Sequence, residues 1–222
     1  MRRRAEGRQS SIVAAAIRAF SWGGYAATQI ADVARAAGTS VGTVYLYVAG
    51  KEALFHAALA EAAGKGPAET ETPLAFPGWT AIRDLLHAFG RTNAVWPRLD
   101  AALATRGRPS PAAFAGVTAE LYDLIAANRV LLRLLDACAR DLPQIRNLYE
   151  ADIKSRYLEA FGRLVARRPG QAASNVVAAR AVVELITWMA MHRHQDTHAI
   201  PADEAAIRAG TLAAAAAILN AP

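Results

Sequence analysis

The spacing of apolar side chains constrains the fold of this chain more than any other feature. Nearly every segment of the 222 residues repeats apolar side chains at intervals of three and four, and alternating runs bounded by turn residues are absent. Intervals of three and four place side chains on one face of a helix, whereas a half-buried strand alternates every second residue. The sequence therefore predicts an all-α protein.

Glycine and proline divide this pattern near the N-terminus. A first helix is predicted over about residues 10–22, with Gly23 and Gly24 ending it as a left-handed C-terminal cap would. Further helices are predicted to begin at Thr28, to cover about residues 41–47, and to run from Lys51 to about residue 63. The proline-containing run 64–78 cannot continue a helix. We predict an N-terminal domain of residues 1–50, a connecting helix of 51–66 and a helical body of 67–222.

The body shows the same periodicity. Its predicted helices cover about residues 79–104, 112–127, a run from Val130 that Pro143 bends or interrupts and Pro169-Gly170 ends, and finally 172–194 and 202–220. The penultimate helix is apolar over more than one face, which requires cover on two sides. The last helix is rich in alanine, which allows close approach of another helix. These two features favour cover of the penultimate helix by a partner as well as by its own core.

Charge and cysteine content indicate the partner and the compartment. The net charge is +6, and seven basic against two acidic side chains place +5 of it within residues 1–51. A basic N-terminal segment favours a polyanionic partner such as nucleic acid. The single cysteine, Cys138, fits a reducing cytoplasm, and no export signal or apolar run near the ~20 residues of a membrane span is evident. We expect a cytoplasmic protein.

Residues 28–47 carry the features of a helix-turn-helix. Such a motif needs a small residue in its first helix, a residue that tolerates positive φ in the turn, and an apolar anchor under the second helix. Ala34, Gly38 and Val44 supply these in order, and Thr39 or Ser40 can cap the second helix. Thr28 can cap the first. The motif predicts a reader of double-stranded DNA.

The residues expected at the DNA fall into two groups. Short side chains at the start of the second helix can enter a major groove and contact base edges, and a glycine among them suggests close backbone approach to the duplex. These residues are Thr39, Ser40, Val41, Gly42 and Thr43. Groups suited to phosphates are Thr28, Tyr45, Tyr47 and Lys51. A basic arm, Arg2 to Arg4, can add a minor-groove or backbone contact.

Residues 20–55, FSWGGYAATQIADVARAAGTSVGTVYLYVAGKEALF, resemble the N-terminal signature of the TetR/AcrR family of regulators. The matching positions are Phe20, Gly24, Tyr25, Thr28, Ile30, Ala31, Ala36, Ala37, Gly38, Ser40, Gly42, Thr43, Tyr45, Tyr47, Lys51, Glu52, Leu54 and Phe55. The chain departs from the pattern at Val41, at Val48 and at Ala49-Gly50. The resemblance implies a DNA-binding head followed by a helical domain that binds a small molecule and dimerises through its last two helices. It also implies that Thr28, Tyr45, Tyr47 and Lys51 contact the phosphates or the backbone of the DNA, and that Ser40, Val41 and Thr43 contact its groove.

A ligand site is expected in the body. Aromatic side chains with a few polar groups suit an apolar ligand, although each is also suited to ordinary core packing. The candidates are Trp79, His87, Phe89, Asn93, Trp96, Phe114, Tyr122, Cys138, Tyr149, Glu184 and Trp188. An effector there would release a repressor from a palindromic operator by favouring a body conformation in which the two heads no longer match its half-sites.

Other functions are open to this sequence. The cluster His192, His194, Asp196 and His198 invites a metal site, but histidines two apart on a helix point away from each other, so no metal and no cofactor are predicted. Glycine-rich phosphate loops, nucleophile elbows and paired zinc motifs are absent, which argues against an enzyme. A body that docks a partner protein instead of sensing a small molecule remains an alternative.

Overall fold

A computed structural model describes residues 2–66, 72–93 and 95–220, with side chains given outside 2–6 and 151–153. Within these residues the secondary structure is helical apart from one isolated bridge between Val48 and Leu74, so the predicted all-α class is confirmed. The first helices are α1 (Arg2–Ala27), α2 (Ile30–Ala36), α3 (Val41–Tyr45), α4 (Lys51–Ala62) and α5 (Trp79–Asn93). They are followed by α6 (Pro97–Ala104), α7 (Pro111–Ala127), α8 (Arg129–Ala139), α9 (Pro143–Arg146), a π-helical segment (Asn147–Lys154), α10 (Ser155–Val165), α11 (Ala172–Ala190), a 3-10 turn (His192–Gln195) and α12 (Glu204–Asn220).

The chain packs into two compact units. The first comprises Met1–Thr92 with Val130–Glu150, and the second comprises Asn93–Arg129 with Ala151–Pro222. The first unit draws part of its core from far along the sequence, because Leu131, Leu134 and Cys138 of α8 are buried in one cluster with α1 and α4. The predicted functional boundaries at residues 50 and 66 stay predictions.

The core of the first unit is built on aromatic side chains of α1 and α4. Phe20 stacks on Tyr25 with ring centroids 5.8 Å apart, and Phe55 meets both rings edge-on at 5.3 and 5.2 Å. Phe20 and Phe55 are fully buried. Such edge-on pairs add roughly 0.5–1.5 kcal/mol beyond the burial of their area. The crossing of α1 and α4 therefore holds the N-terminal helices in place.

The core of the second unit centres on Trp96. Its ring stacks on Phe161 at 5.9 Å and lies 5.7 Å from the ring of Tyr157, while its Nε1 donates to the Val117 carbonyl at 3.1 Å. One residue thus joins α6, α7 and α10 through both its apolar face and its polar atom. Buried tryptophans need such an acceptor.

Several predicted helix bounds are corrected by the structure. The helix α1 starts at Arg2 instead of residue 10, and it continues for three residues beyond Gly24, whose φ of 77° and ψ of −178° interrupt the helical backbone. The predicted helix 79–104 is two helices. Proline disfavours helical backbone in the residue before it, so Trp96 (φ −128°, ψ 68°) stands outside the helix that Pro97 begins.

The predicted cap at Thr28 is wrong. The helix α2 begins at Ile30 with Gln29 as its N-cap residue, and the Thr28 hydroxyl donates instead to the Gly24 carbonyl at 2.7 Å. The helix α3 ends at Tyr45, two residues before the predicted end. The predicted break at Pro143 is confirmed, since α8 ends at Ala139 and Pro143 opens α9.

Candidate nucleic-acid interface

The geometry of α2 and α3 is that of a helix-turn-helix. Ala34 and Val44 are buried, at 2% and 0% exposure, between the two helices and the core. Gly38 has a φ of 63°, a value that favours glycine, and the Thr39 amide closes the turn by donating to the Ala34 carbonyl at 2.9 Å. The roles predicted for Ala34, Gly38 and Val44 are confirmed.

The start of α3 is capped by Ser40. Its Oγ accepts a hydrogen bond from the Thr43 amide at 3.1 Å and lies 2.8 Å from the Thr43 Oγ1. The predicted cap is confirmed, and it satisfies one of the free amides that a helix N-terminus carries. A five-residue helix depends on such a cap, because helix nucleation is unfavourable in so short a segment.

Short side chains face solvent at the beginning of α3. Ser40, Val41 and Gly42 are exposed, and Thr39 and Thr43 are half-buried. A Cβ atom added at Gly42 would approach only the Ser40 Oγ, at 3.9 Å, so no atom of the described chain requires glycine there. The small size of residue 42 therefore suits an approach from outside the chain.

The residues predicted to contact phosphates differ in their exposure to solvent. Tyr45 is 49% exposed on α3, and Tyr47 is half-buried in the turn after it. Leu46, between them, is 68% exposed and was not predicted as a site residue. The pattern of apolar residues around α3 does not show which of them are buried, and the tertiary structure shows that Leu46, directly after α3, faces solvent.

Lys51 has interactions of its own within the chain. Its Nζ donates to the Ala26 carbonyl at 3.2 Å and lies 4.5 Å from the centroid of the Tyr25 ring. An ammonium over an aromatic face gains about 0.5–1 kcal/mol at an exposed site. The Lys51 ammonium is thus oriented by α1 before any phosphate approaches.

Thr28 lies inside the fold, at 5% exposure, and its hydroxyl donates to the Gly24 carbonyl. The phosphate role of Thr28 stays a prediction, and its hydroxyl proton is already engaged in this hydrogen bond.

Tyr25, three residues earlier, has a pKa raised to about 12, mainly by burial and further by the nearby Glu52 carboxylate. Tyr25 therefore stays neutral at physiological pH.

The basic arm lies partly outside what the structure describes. The backbone of Arg2 to Arg4 is helical, but their side chains fall outside the described residues. Arg8 and Arg18 are exposed further along α1, and Arg35 of α2 pairs with Asp32 at 3.0 Å. The arm's contact with DNA stays a prediction.

The predicted ligand-site residues divide between the two units and between core and surface. In the first unit Phe89, Cys138 and Tyr149 are buried, Trp79 is half-buried and His87 is exposed. In the second unit Trp96, Phe114 and Tyr122 are buried, whereas Asn93, Glu184 and Trp188 are exposed. Their role in binding a ligand stays a prediction.

Three of these side chains have a distinct environment. The Tyr122 Oη is buried and has no hydrogen-bond partner within the described part of the chain. Glu184 pairs with Arg180 at 2.6 Å on the surface of α11. Burial raises the pKa of the Cys138 thiol to about 12, so this cysteine is not a nucleophile at neutral pH.

Two further observations bear on other classes of site. Among the residues that the structure describes, no group of three or more histidine, cysteine, aspartate or glutamate side chains is placed to hold a metal ion. By length and composition the helix Ala172–Ala190 could cross a membrane, but the core helix of a soluble protein passes the same test. Neither observation adds a site to the surface around α3.

Comparisons with known proteins agree with this geometry. Residues 12–58 match the family of bacterial regulatory proteins described as the tetR family. The fold is similar to the ketosteroid transcriptional regulator KstR2 of Mycobacterium tuberculosis, at 15% identity and a TM-score of 0.52 over 96% of this chain and 93% of that one. It is also similar to a TetR-family transcriptional regulator from Bordetella parapertussis 12822, at 19% identity and a TM-score of 0.50 over 96% and 94%. None of the curated proteins matches the sequence.

The matched residues 12–58 contain the capped helix α3, the turn at Gly38 and the anchor Val44, which are the parts of a DNA reader. The similar structures extend the likeness of fold to the whole chain. Residues 12–58 therefore carry the helix-turn-helix domain of bacterial regulatory proteins of the tetR family, and the chain has the fold of the solved regulators to which it is similar.

Proposed function

We propose that this protein is a transcriptional regulator of the TetR family, namely a cytoplasmic homodimeric repressor that binds a palindromic operator and leaves it when a small molecule binds the helical body. The observation that carries the DNA-binding part is the Ser40-capped α3, which presents a surface of short side chains to solvent. The protein acts through binding, and no catalytic residue is assigned to it.

Recognition of the operator is proposed to be shared between α3 and its surroundings. Val41, at 40% exposure, suits a thymine methyl group, and the hydroxyls of Thr39, Ser40 and Thr43 suit base edges. Gly42 allows α3 to lie close to the groove. Tyr45, Tyr47, Lys51 and the Thr28 segment would position the head on the phosphate backbone.

A dimer is supported by the exposed faces of α11 and α12. Val176 and Val177 of α11 are 68% and 67% exposed, and Trp188 is 39% exposed on the same helix. The neighbouring α12 exposes small residues, namely Ala205, Ala206, Ala209, Gly210, Ala213, Ala214 and Ala217. Apolar side chains beside small ones form a surface that a second copy can cover closely. Two copies would present two α3 helices to two half-sites.

An effector site is supported by the buried aromatic side chains of the body. The buried Tyr122 hydroxyl lacks a hydrogen-bond partner in the described chain, and a buried polar group without one costs about 1–3 kcal/mol. A largely apolar molecule with one hydrogen-bonding group is the ligand class that this environment suits. The exposed Val176, Val177 and Trp188 favour the alternative, in which the body docks a partner protein.

The test measures binding of labelled DNA tiles from the region beside the coding sequence by fluorescence anisotropy at several salt concentrations. We expect saturable binding to one tile with a steep salt dependence. Tyr45→Ala and Lys51→Ala should weaken it, whereas Arg83→Ala, which removes an exposed charge on α5, should not. Equal binding of all tiles by all variants would contradict the proposal.

The operator so found provides the probe for the effector. A screen of apolar small molecules against the labelled complex should yield compounds that release the DNA. Release by a compound that also raises the melting temperature of the free protein would identify a ligand. If no compound acts and purified dimer leaves an exposed apolar face, the docking alternative is favoured.

A further inference from the structure

Two charged side chains from outside α1 hold its C-terminal end. The Ala26 amide donates to the Asp141 Oδ2 at 2.7 Å, and the Ala26 carbonyl accepts from the Lys51 Nζ at 3.2 Å. Lys51 opens α4, whereas Asp141 follows α8 and lies 115 residues beyond Ala26 in the sequence. Both polar backbone groups of one residue are therefore bound by charged groups, and such bonds are stronger than neutral ones.

Gly24 allows the close approach of Asp141. Its φ is 77°, and a Cβ atom there would lie 2.7 Å from the Asp141 Oδ2 and 3.1 Å from the Ala137 carbonyl oxygen. The Cys138 thiol approaches the Phe20 carbonyl at 3.8 Å on the same side. The end of α8 and the residues after it thus pack directly on the backbone of α1.

The C-terminal end of α1 leads directly into the helix-turn-helix. The Thr28 hydroxyl bonds the Gly24 carbonyl at 2.7 Å, and α2 begins two residues later at Ile30. The helix α3 is then held on α2 through the turn at Gly38. The backbone of residues 24–28 consequently sets the position from which α2 and α3 start.

We propose that Asp141 is a positioning residue for operator recognition: by holding the Ala26 amide it sets the end of α1 and the start of α2, and so the orientation in which α3 meets the DNA. The proposal rests on the proposed function of the chain as an operator-binding repressor. Asp141 is on neither α2 nor α3, so its effect on binding is indirect. The segment after α8 thereby acts on the DNA-binding domain through one hydrogen bond.

The test compares three variants with the wild-type full chain. Asp141→Ala removes the acceptor, Asp141→Asn keeps an acceptor without the charge, and Asp84→Asn is a control that removes an exposed carboxylate on α5. Binding to the operator duplex and to a scrambled duplex is measured together with amide hydrogen exchange at Ala26 and thermal unfolding.

For Asp141→Ala we expect operator affinity to fall about tenfold, the size of effect that one charge-assisted hydrogen bond produces. Exchange at the Ala26 amide should accelerate, and affinity for the scrambled duplex should stay near the wild-type value, because the phosphate-facing side chains remain. Asp141→Asn should keep most of the operator affinity. Asp84→Asn should match the wild type in every measurement.

Faster exchange at Ala26 with unchanged operator affinity would overturn the positioning role, and so would an equal loss on both duplexes. If Asp141→Ala unfolds at the assay temperature, Asp141→Ser decides, because it removes the carboxylate from the Ala26 amide but keeps a polar side chain after α8. Full operator affinity in Asp141→Ser would overturn the proposal. A wild-type chain that binds none of the DNA tiles would contradict the proposed function itself. The wild-type measurement is made before the variants are compared, so this failure is distinguishable from failure of the positioning role.

Discussion

The helix α3 and the pair α11–α12 differ in what they expose. Around α3 the exposed residues are short or polar, as in Ser40 and Gly42, and Val41 is exposed to 40%. On α11 the most exposed large residues are Val176 and Val177, at 68% and 67%. The surface around α3 suits a DNA groove lined by phosphates and base edges. The surface of α11 suits contact with another apolar surface. The difference supports the proposal that α3 contacts DNA and that α11 and α12 contact a second copy of the chain.

The two regions also differ in how they are held. The five residues of α3 rely on the Ser40 cap and on Val44, which is fully buried. The helices α11 and α12 have 19 and 17 residues and pack along each other. Buried residues should therefore dominate the stability of the α3 region. Exposed residues of α11 and α12 should dominate the stability of the proposed dimer.

The largest expected effect is that of Val44→Asp. A carboxylate at this fully buried position lacks a counter-charge, so we expect the free energy of unfolding to fall by roughly 3 kcal/mol or more, with loss of operator binding. Urea unfolding measures the change. Val41→Asp is the matched control, because its side chain is 40% exposed and should leave the unfolding midpoint near the wild-type value. Equal urea unfolding midpoints in Val44→Asp and Val41→Asp would contradict the view that buried residues dominate the stability of the α3 region.

The next effect tests the exposed face of α11. Val177→Glu should weaken the proposed homodimer on the order of 100-fold, because a charge would be buried at its apolar interface. The unfolding midpoint of the monomer should hardly change. Sedimentation across a dilution series measures the dimer, and Ala115→Glu, on an exposed position of α7, controls for the added charge. A dimer as tight as the wild type would place the interface elsewhere.

A smaller effect separates phosphate contact from internal support at Lys51. Lys51→Gln should weaken binding to operator and scrambled duplex alike by about tenfold, and should lower the slope of log affinity against log salt by about 1. Anisotropy titrations at four salt concentrations give the slope, with Arg83→Gln on α5 as the control. An unchanged slope would mean that Lys51 acts only through the Ala26 carbonyl.

The smallest effect is a loss of stability at alkaline pH. Burial raises the pKa of the Cys138 thiol from 9.0 to about 12, so its contribution to stability is fully present below pH 9 and is lost as the pH rises towards 12. The loss amounts to about 1.4 kcal/mol per pH unit in that window. Urea unfolding at pH 8, 9 and 10 should show it beginning above pH 9, before Tyr25 and Tyr157 contribute above pH 10.

Cys138→Ala provides the control for this titration. It removes the thiol from the core of the first unit, so the decline between pH 9 and 10 should disappear even though the small cavity lowers stability at every pH. A decline that persists unchanged in this variant would assign the alkaline loss to another group.

Much of the helix-turn-helix geometry could be predicted because its determinants are local. Gly38 in the turn, Ser40 as the cap and Val44 as the anchor lie within seven residues and act through neighbouring backbone atoms. The break at Pro143 was predictable for the same reason, since proline acts on its own helix. The break at Pro97 has an equally local cause, but the apolar spacing from Ile82 to Trp96 favoured one continuous helix there.

The exposure of individual site residues was harder to predict. Thr28 looked like a cap from its place before an apolar run, yet its hydroxyl turns inward to the Gly24 carbonyl. Leu46 is not among the predicted site residues and is exposed. Short segments carry too few residues for periodicity to tell which side faces the protein, so the packing of neighbouring helices decides.

The sequence alone determined the helical class, the helix-turn-helix and the capped start of α3, because spacing, turn glycines and caps act over a few residues. Only the tertiary structure decided that Val130–Glu150 shares a core with the N-terminal helices, and that Asp141 bonds the Ala26 amide. A contact across 115 residues leaves no mark in local patterns. It forms because the hydrophobic cluster brings α8 onto α1, where burial of apolar surface outweighs the entropy of closing so long a loop.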